Sequence, residues 1–230
     1  MRRTSIFRRR WVEWAGCLLV LFVGTCGASA QVAEADDPIV SFVFDFPGSE
    51  PEHYVIKVAA DGKSSYDSNG KLSADSDPDN AFRLDFVLPH EDCARIFELA
   101  KKSKYFQGEI DSKKQGLAST GVKTLVYKSG ASSSQATYNF SPLAPVQQLT
   151  DLFQGMSNTL EFGRRLEYFH RYQKLALAEE LKKMEGGLYK DLPAISAIAP
   201  ILKGIVDDPS VINVVRARAQ RLLVAEQSGK

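Results

Sequence analysis

The sequence contains few of the residues that carry covalent or metal chemistry, with three cysteines and three histidines among 230 residues. Cys17 and Cys26 lie in the first thirty residues, so Cys93 has no cysteine partner in the rest of the chain. A disulfide within that remainder is therefore excluded. Zinc requires three or four protein ligands, and the three histidines are far apart in the sequence. The sequence predicts no metal site and no cofactor.

The chain also lacks an excess of charge of either sign, with 29 basic and 28 acidic residues. Five of the arginines lie in the first thirty residues, so the remainder carries 24 basic and 27 acidic residues. Affinity for nucleic acids arises when clustered basic residues release counterions from phosphates. This balance therefore argues against a nucleic-acid-binding domain. A hydrophobic content of 44% and a charged content of 25% are ordinary for a globular protein.

The first thirty residues have the three-part pattern of a cleavable export signal. Basic residues 1–10 precede an apolar segment from Trp14 to Val23, and Ala28-Ser29-Ala30 is typical of a cleavage site. The apolar segment is shorter than the roughly 20 residues of a transmembrane helix. We therefore expect cleavage before Gln31 and no transmembrane segment afterwards, with lipoprotein processing at a leader cysteine as the alternative. Because eukaryotic secreted domains more often carry disulfides, the lone cysteine favours a bacterial host, and we expect the exported protein in the periplasm or the extracellular space.

The first half of the remaining chain has the pattern of an antiparallel sheet. Residues 31–38 lack any periodicity and predict a disordered tether. From 39 to 141 apolar residues mostly recur at every second position, which is typical of strands. Ala60–Lys63 predicts a hairpin turn, and the pattern that follows Pro89 is that of a helix with acids in its first turn. We predict four strands, one helix and two further strands.

The second half, residues 142–228, changes to the helical period of 3.6 residues. Ser141-Pro142 is a good N-cap and first-turn pair, and the last two helices are expected at Leu192–Val206 and Pro209–Val224. Neither half alone can cover all its apolar residues. The predicted fold class is therefore α+β, an N-terminal antiparallel sheet with one helix packed against a C-terminal bundle of about five helices, in one integrated domain.

Three motifs with known chemistry are incomplete in this sequence. Gly62-Lys63-Ser64 matches the end of a phosphate-binding loop, but it lacks the earlier glycine and lies between two predicted strands. Three aspartates between positions 75 and 79 have the alternate spacing of a calcium loop, whose twelfth position is apolar here. His90 and Cys93 share one helix face without a third ligand nearby. The sequence therefore predicts no catalytic residue and no metal ligand.

One helical segment carries a candidate binding surface. Arg164, Tyr168 and Arg171 lie on one face of a predicted helix, nearly opposite its apolar face. Arginine and tyrosine are enriched at the energetic centres of protein interfaces. The sequence favours the alternative interpretation, in which the helix is covered on both sides, with Tyr168 buried against the other half while the arginines extend to solvent, because a chain of two packed halves must bury both sides of some helices.

The sequence favours an exported, non-enzymatic binding or assembly module with a protein or other envelope partner. This hypothesis depends mainly on the incomplete motifs. Two alternatives stay open at this point. One is a hydrolase whose site forms only in space, because catalytic triads are defined by geometry. The other is a small-ligand carrier with a pocket between sheet and helices.

Overall fold

The computed structural model describes residues 37–72, 81–185 and 192–228. The predicted export signal (1–30), most of the predicted tether and the aspartates between 75 and 79 lie outside the described residues.

In the described part of the chain, six antiparallel strands form one sheet in the order β4-β3-β2-β1-β5-β6. The strands are β1 (Ile39–Asp45), β2 (His53–Ala59), β3 (Lys63–Ser68), β4 (Phe82–Val87), β5 (Val122–Ser129) and β6 (Ser132–Tyr138). The central strand β1 pairs on both sides, so that Phe42 lies opposite Ile56 and Leu125. All three are fully buried, because alternate residues of a strand point to the same face.

Two hairpins of this sheet follow from their turn residues. Gly62 turns β2 into β3 with φ of +86°, and a Cβ at this position would lie 3.0 Å from the carbonyl oxygen of Leu88. Gly130, with φ of +54°, begins the two-residue turn between β5 and β6. Positive φ at these positions is easily adopted only by glycine.

Five α-helices complete the described structure. They are α1 (His90–Lys102), α2 (Ala144–Tyr172), α3 (Leu177–Glu185), α4 (Ile195–Asp207) and α5 (Asn213–Ser228). The helix α1 lies between β4 and β5, and the other four follow the sheet in sequence. The predicted α+β fold class is confirmed, and so is the predicted sequence of elements in the first half: four strands, one α-helix and two further strands.

The details of the helical half differ from the prediction at three points. Residues 149–160 and 162–169, whose helical spacing predicts two separate helices, lie in one helix, α2, of 29 residues. Its buried residues, among them Met156, Leu160 and Phe162, lie on more than one side of the helix, because the sheet and α4 both pack on it. The apolar residues of α2 therefore move from one face of the helix to another along its length. The helix α2 begins three residues after Ser141, and α5 begins four residues after Pro209.

The core lies between the sheet and α2. The rings of Phe42 and Phe153 stack with centroids 5.2 Å apart and planes 5° from parallel, a geometry that adds about 0.5–1.5 kcal/mol to the burial itself. On another side of α2, Gly163 meets Ile198 of α4 at such close range that a Cβ would lie 2.3 Å from a methyl carbon. These contacts make α2 the central element of the fold.

Candidate functional site

The predicted binding residues do not share one environment. Arg164 is 8% exposed, donates a hydrogen bond to the carbonyl oxygen of Gly70 (2.7 Å), and lies over the ring of Phe82 at 4.8 Å. Tyr168 is half-buried. The Arg171 side chain is 64% exposed. The alternative interpretation, in which the arginines extend to solvent, therefore describes Arg171 but not Arg164.

An exposed surface does form at the carboxyl end of α2. The ring of Tyr172 lies 5.1 Å from that of Tyr168 and 5.9 Å from the Arg171 guanidinium. Tyr172 is 64% exposed, and Leu175 in the following turn is 88% exposed. We call Tyr168, Arg171, Tyr172 and Leu175 the α2 patch. Sequence reasoning missed Tyr172, although its position four residues after Tyr168 indicated the same face.

A buried polar cluster occupies the same helix three turns earlier. The Glu161 carboxylate, on a residue 5% exposed, accepts hydrogen bonds from the Tyr66 hydroxyl (2.9 Å) and the Ser68 hydroxyl (2.5 Å). Arg164 lies 3.8 Å from the other carboxylate oxygen. Two side chains of β3 thus bond one carboxylate of α2, and an arginine one turn later on α2 faces that carboxylate. The charged groups satisfy one another in the interior, which is the arrangement that a buried ion pair requires.

This cluster also holds the chain after β3 in place. Gly70 lies so close to the Glu161 carboxylate that a Cβ would be 2.9 Å from both of its oxygens. Burial raises the pKa of the Tyr66 phenol, and the Glu161 charge adds to this effect. The phenol therefore stays protonated as a donor. The arrangement is typical of a structural anchor that joins sheet and helix.

The three histidines lie in separate places. His53 and Asp45 form an exposed cross-strand pair, with 2.6 Å between Nδ1 and Oδ1. His90 is exposed at the start of α1. His170 of α2 lies 2.9 Å from an Asp208 carboxylate oxygen in the turn before α5.

The cluster around Asp208 contains the residue types of a hydrolase but not the necessary order. The Ser210 hydroxyl donates to Asp208 (2.6 Å), and His170 bonds the other carboxylate oxygen. The acid therefore lies between the imidazole and the hydroxyl, whereas a triad places the imidazole in the centre. The Lys174 ammonium, 2.6 Å away, and the donors of Ser210 hold the pKa of Asp208 far below its usual range, which makes the carboxylate a weak base.

Two further reactive groups are enclosed by the fold. The Cys93 thiol is buried and donates to the carbonyl oxygen of Ala59 (3.4 Å), and burial raises its pKa. The Lys123 ammonium is also buried and donates to the carbonyl oxygens of Thr120 (2.9 Å) and Asn139 (3.0 Å). Burial lowers the pKa of Lys123. Within the described residues, no three side chains of the metal-binding types lie close enough to hold an ion together.

An open groove of about 570 Å³ crosses the face of the sheet that points away from the helices. Its lining is mostly apolar, with Ile39, Ala59 and Val87 beside the charged residues Lys57 and Asp85. The carrier alternative expects a pocket between the sheet and the helices. This groove lies on the other face of the sheet, and aromatic rings such as those of Phe42 and Phe153 fill the interface between the sheet and the helices.

No protein-family model matches the chain, and no curated protein has significant sequence similarity to it. None of the described helices has both the length and the apolar character needed to cross a membrane.

Proposed function

We propose that the protein is an exported, non-enzymatic binding module that docks a protein partner on the α2 patch. The observation that carries the proposal is the exposure of Tyr172 and Leu175, which are 64% and 88% accessible at the end of a helix that is otherwise largely buried. Large apolar side chains at the surface gain free energy when a partner covers them. Tyrosine and arginine beside them are the types that dominate interface energies.

The charges of the α2 patch indicate the chemistry of the partner. Arg171 pairs with Glu167 at 3.5 Å, and both side chains are more than half exposed. An exposed pair of this kind contributes only about 0.3–0.5 kcal/mol. Arg171 can therefore exchange Glu167 for a better-oriented carboxylate of a partner at little cost. The partner that fits is a protein surface with an acidic side chain beside an apolar pocket for Tyr172 and Leu175.

The polar clusters around Glu161 and Asp208 favour the binding hypothesis over a catalytic one. Among the described residues, Glu161 is held by internal donors, and Asp208 separates His170 from Ser210. In neither cluster does a hydroxyl or thiol bond a histidine that could activate it.

Export is part of the proposal and depends on the three-part pattern of residues 1–30. Intact-mass analysis of protein recovered from a bacterial envelope fraction tests it. We expect a mature chain that begins at Gln31. A mature chain that begins at a lipid-modified Cys17 or Cys26 would replace the freely diffusing form of the proposal with a membrane-anchored one, and a full-length cytoplasmic species would contradict export.

The binding proposal is tested with the double variant Tyr172→Ala/Leu175→Ala and the single variant Arg171→Glu. Each variant and the wild type are used as bait in native-host envelope extracts, followed by quantitative mass spectrometry. We expect the same partner to be lost by both variants, with an affinity for the purified partner that falls at least about tenfold, since interface anchors cost roughly 2 kcal/mol or more.

The matched control is Val87→Ala, which removes a 65% exposed apolar side chain from β4 on the sheet. It should leave partner recovery unchanged, and all three variants should melt within a few degrees of the wild type. Equal recovery of every partner by the wild type and both α2-patch variants would contradict the proposal.

A further inference from the structure

The two edges of the sheet differ in how well they are protected against another strand. The edge strand β4 carries Arg83 and Asp85 among its exposed residues, and charged residues on an edge discourage pairing with a further chain. The edge strand β6 reads Ser-Ser-Ser-Gln-Ala-Thr-Tyr, with no charge and no proline. It pairs with β5 at seven consecutive positions without a bulge. The strand β6 therefore lacks a charge, a proline and a bulge, which are the protective features that a strand itself can carry.

The free hydrogen-bonding groups of β6 can be assigned from its register. Ser129 lies opposite Ser132 across the two-residue turn, and the residues that close such a turn exchange hydrogen bonds. Bonded and non-bonded positions then alternate along the strand. Ser133, Gln135 and Thr137 thus direct their backbone N–H and C=O groups away from β5. Their side chains are exposed, and no other described strand pairs with β6.

We propose that β6 is a self-association edge, on which a second copy of the chain adds its own β6 in antiparallel orientation about Gln135. In this register Gln135 faces Gln135 of the second copy, and Ser133 faces Thr137. The three outward residues would form about six backbone hydrogen bonds between the copies. The result is a continuous twelve-stranded sheet with two-fold symmetry, the commonest symmetry of homodimers.

A second copy fits this edge because its chemistry is neutral and self-complementary. Like charges directly opposite each other destabilise a strand pair, and β6 brings none. Hydroxyl pairs such as Ser133 with Thr137 are favourable across strands, and the same pairing already occurs within the chain, where Thr124 and Thr137 hydroxyls lie 2.9 Å apart. The inference is independent of the α2 patch.

The first test is sedimentation velocity of the purified protein at roughly 1 to 100 μM, a series over which a dimer with a Kd in the micromolar range changes its population. We expect a concentration-dependent dimer. Gln135→Pro removes an outward N–H that the monomer does not use, a position at which an edge strand tolerates proline. It should weaken the dimer at least about tenfold, whereas Gln135→Ala should keep the affinity within about threefold, because it retains the backbone.

A second set of variants tests the register and does not depend on the fold tolerating proline. In Ser133→Lys/Thr137→Glu each lysine faces a glutamate of the other copy, and the dimer should persist. In Ser133→Lys/Thr137→Lys each lysine faces a lysine, and the dimer should weaken. A wild type that is monomeric throughout the range, or a dimer that responds equally to both double variants, would overturn the proposal.

Discussion

A buried glutamate connects α2 to β3, the second strand of the sheet. The Glu161 carboxylate accepts hydrogen bonds from two hydroxyls of β3 and lies 3.8 Å from a buried arginine. Taking such charges out of water is costly, and the cost is offset only while both partners are present. At the residue scale, we therefore expect the loss of one of these two charged side chains to destabilise the fold far more than the loss of apolar contacts in the same surroundings would.

The variant Glu161→Ala should therefore lower the free energy of unfolding by about 3–5 kcal/mol, as the removal of one member of a buried pair does. Urea unfolding followed by circular dichroism measures this loss. The control is Glu167→Ala on the same helix, whose side chain is 57% exposed and which should change stability by less than about 0.5 kcal/mol. Similar losses for the two variants would refute the anchoring role of Glu161.

At the scale of elements, the crossing of α2 and α4 depends on a single glycine. Alanine favours a helix over glycine by about 1 kcal/mol, so propensity alone predicts that Gly163→Ala stabilises the protein. The close contact between α2 and α4 predicts that the substitution destabilises the protein, because the added Cβ would lie 2.3 Å from Cγ2 of Ile198. Helices that pack this closely cannot separate without losing contacts along their whole length.

We expect Gly163→Ala to cost about 1–3 kcal/mol through overpacking. The double variant with Ile198→Ala should lose less stability than the sum of the two single losses, because the smaller side chain makes room for the added Cβ. The matched control is Gly204→Ala in α4, where the nearest atom to an added Cβ is 3.8 Å away on His170. This control should raise the melting temperature, because only the propensity changes. Thermal unfolding of the five proteins (the wild type, the three single variants and the double variant) measures each change in stability, and a stabilising Gly163→Ala would show that the helices separate freely.

At the scale of the whole molecule, three buried tyrosines line the interface between the sheet and α2. Burial raises the pKa of Tyr54 and Tyr66, and it raises that of Tyr138 to about 12. Tyr138 also hydrogen-bonds the Thr150 hydroxyl at 2.5 Å. In the unfolded chain these phenols ionise near pH 10. Above that pH the folded state holds more protons than the unfolded state, so stability falls as the pH rises.

The midpoint of urea unfolding should accordingly decrease between about pH 9.5 and pH 11. The share of the tyrosinate absorbance that belongs to Tyr54, Tyr66 and Tyr138 should appear only as the protein unfolds, because these three phenols are buried. In Tyr138→Phe the decrease should be shallower, since one phenol no longer contributes. A smooth titration of all tyrosines near pH 10 in a protein that stays folded would mean that the interface is open to water.

The sequence by itself determined the class and order of the elements. Strand alternation and helical periodicity are local patterns, and so are the turns at Gly62 and Gly130. These predicted the sheet with its one inserted helix, because each pattern depends on residues a few positions apart. The merging of two predicted helices into α2 was not visible, since two layers pack on that helix and shift its apolar stripe.

Only the tertiary structure decided which polar residues meet. Arg164, Tyr168 and Arg171 lie on one stripe of the sequence pattern, yet Arg164 is buried beside Glu161 while Arg171 is exposed. Tyr66 and Glu161 are 95 positions apart and bond directly. The periodicity of the sequence assigns a residue to one face of its helix or strand, but the burial of that residue depends on what packs over the face. That information belongs to distant parts of the chain, and it enters only when the sheet and the helices close on each other.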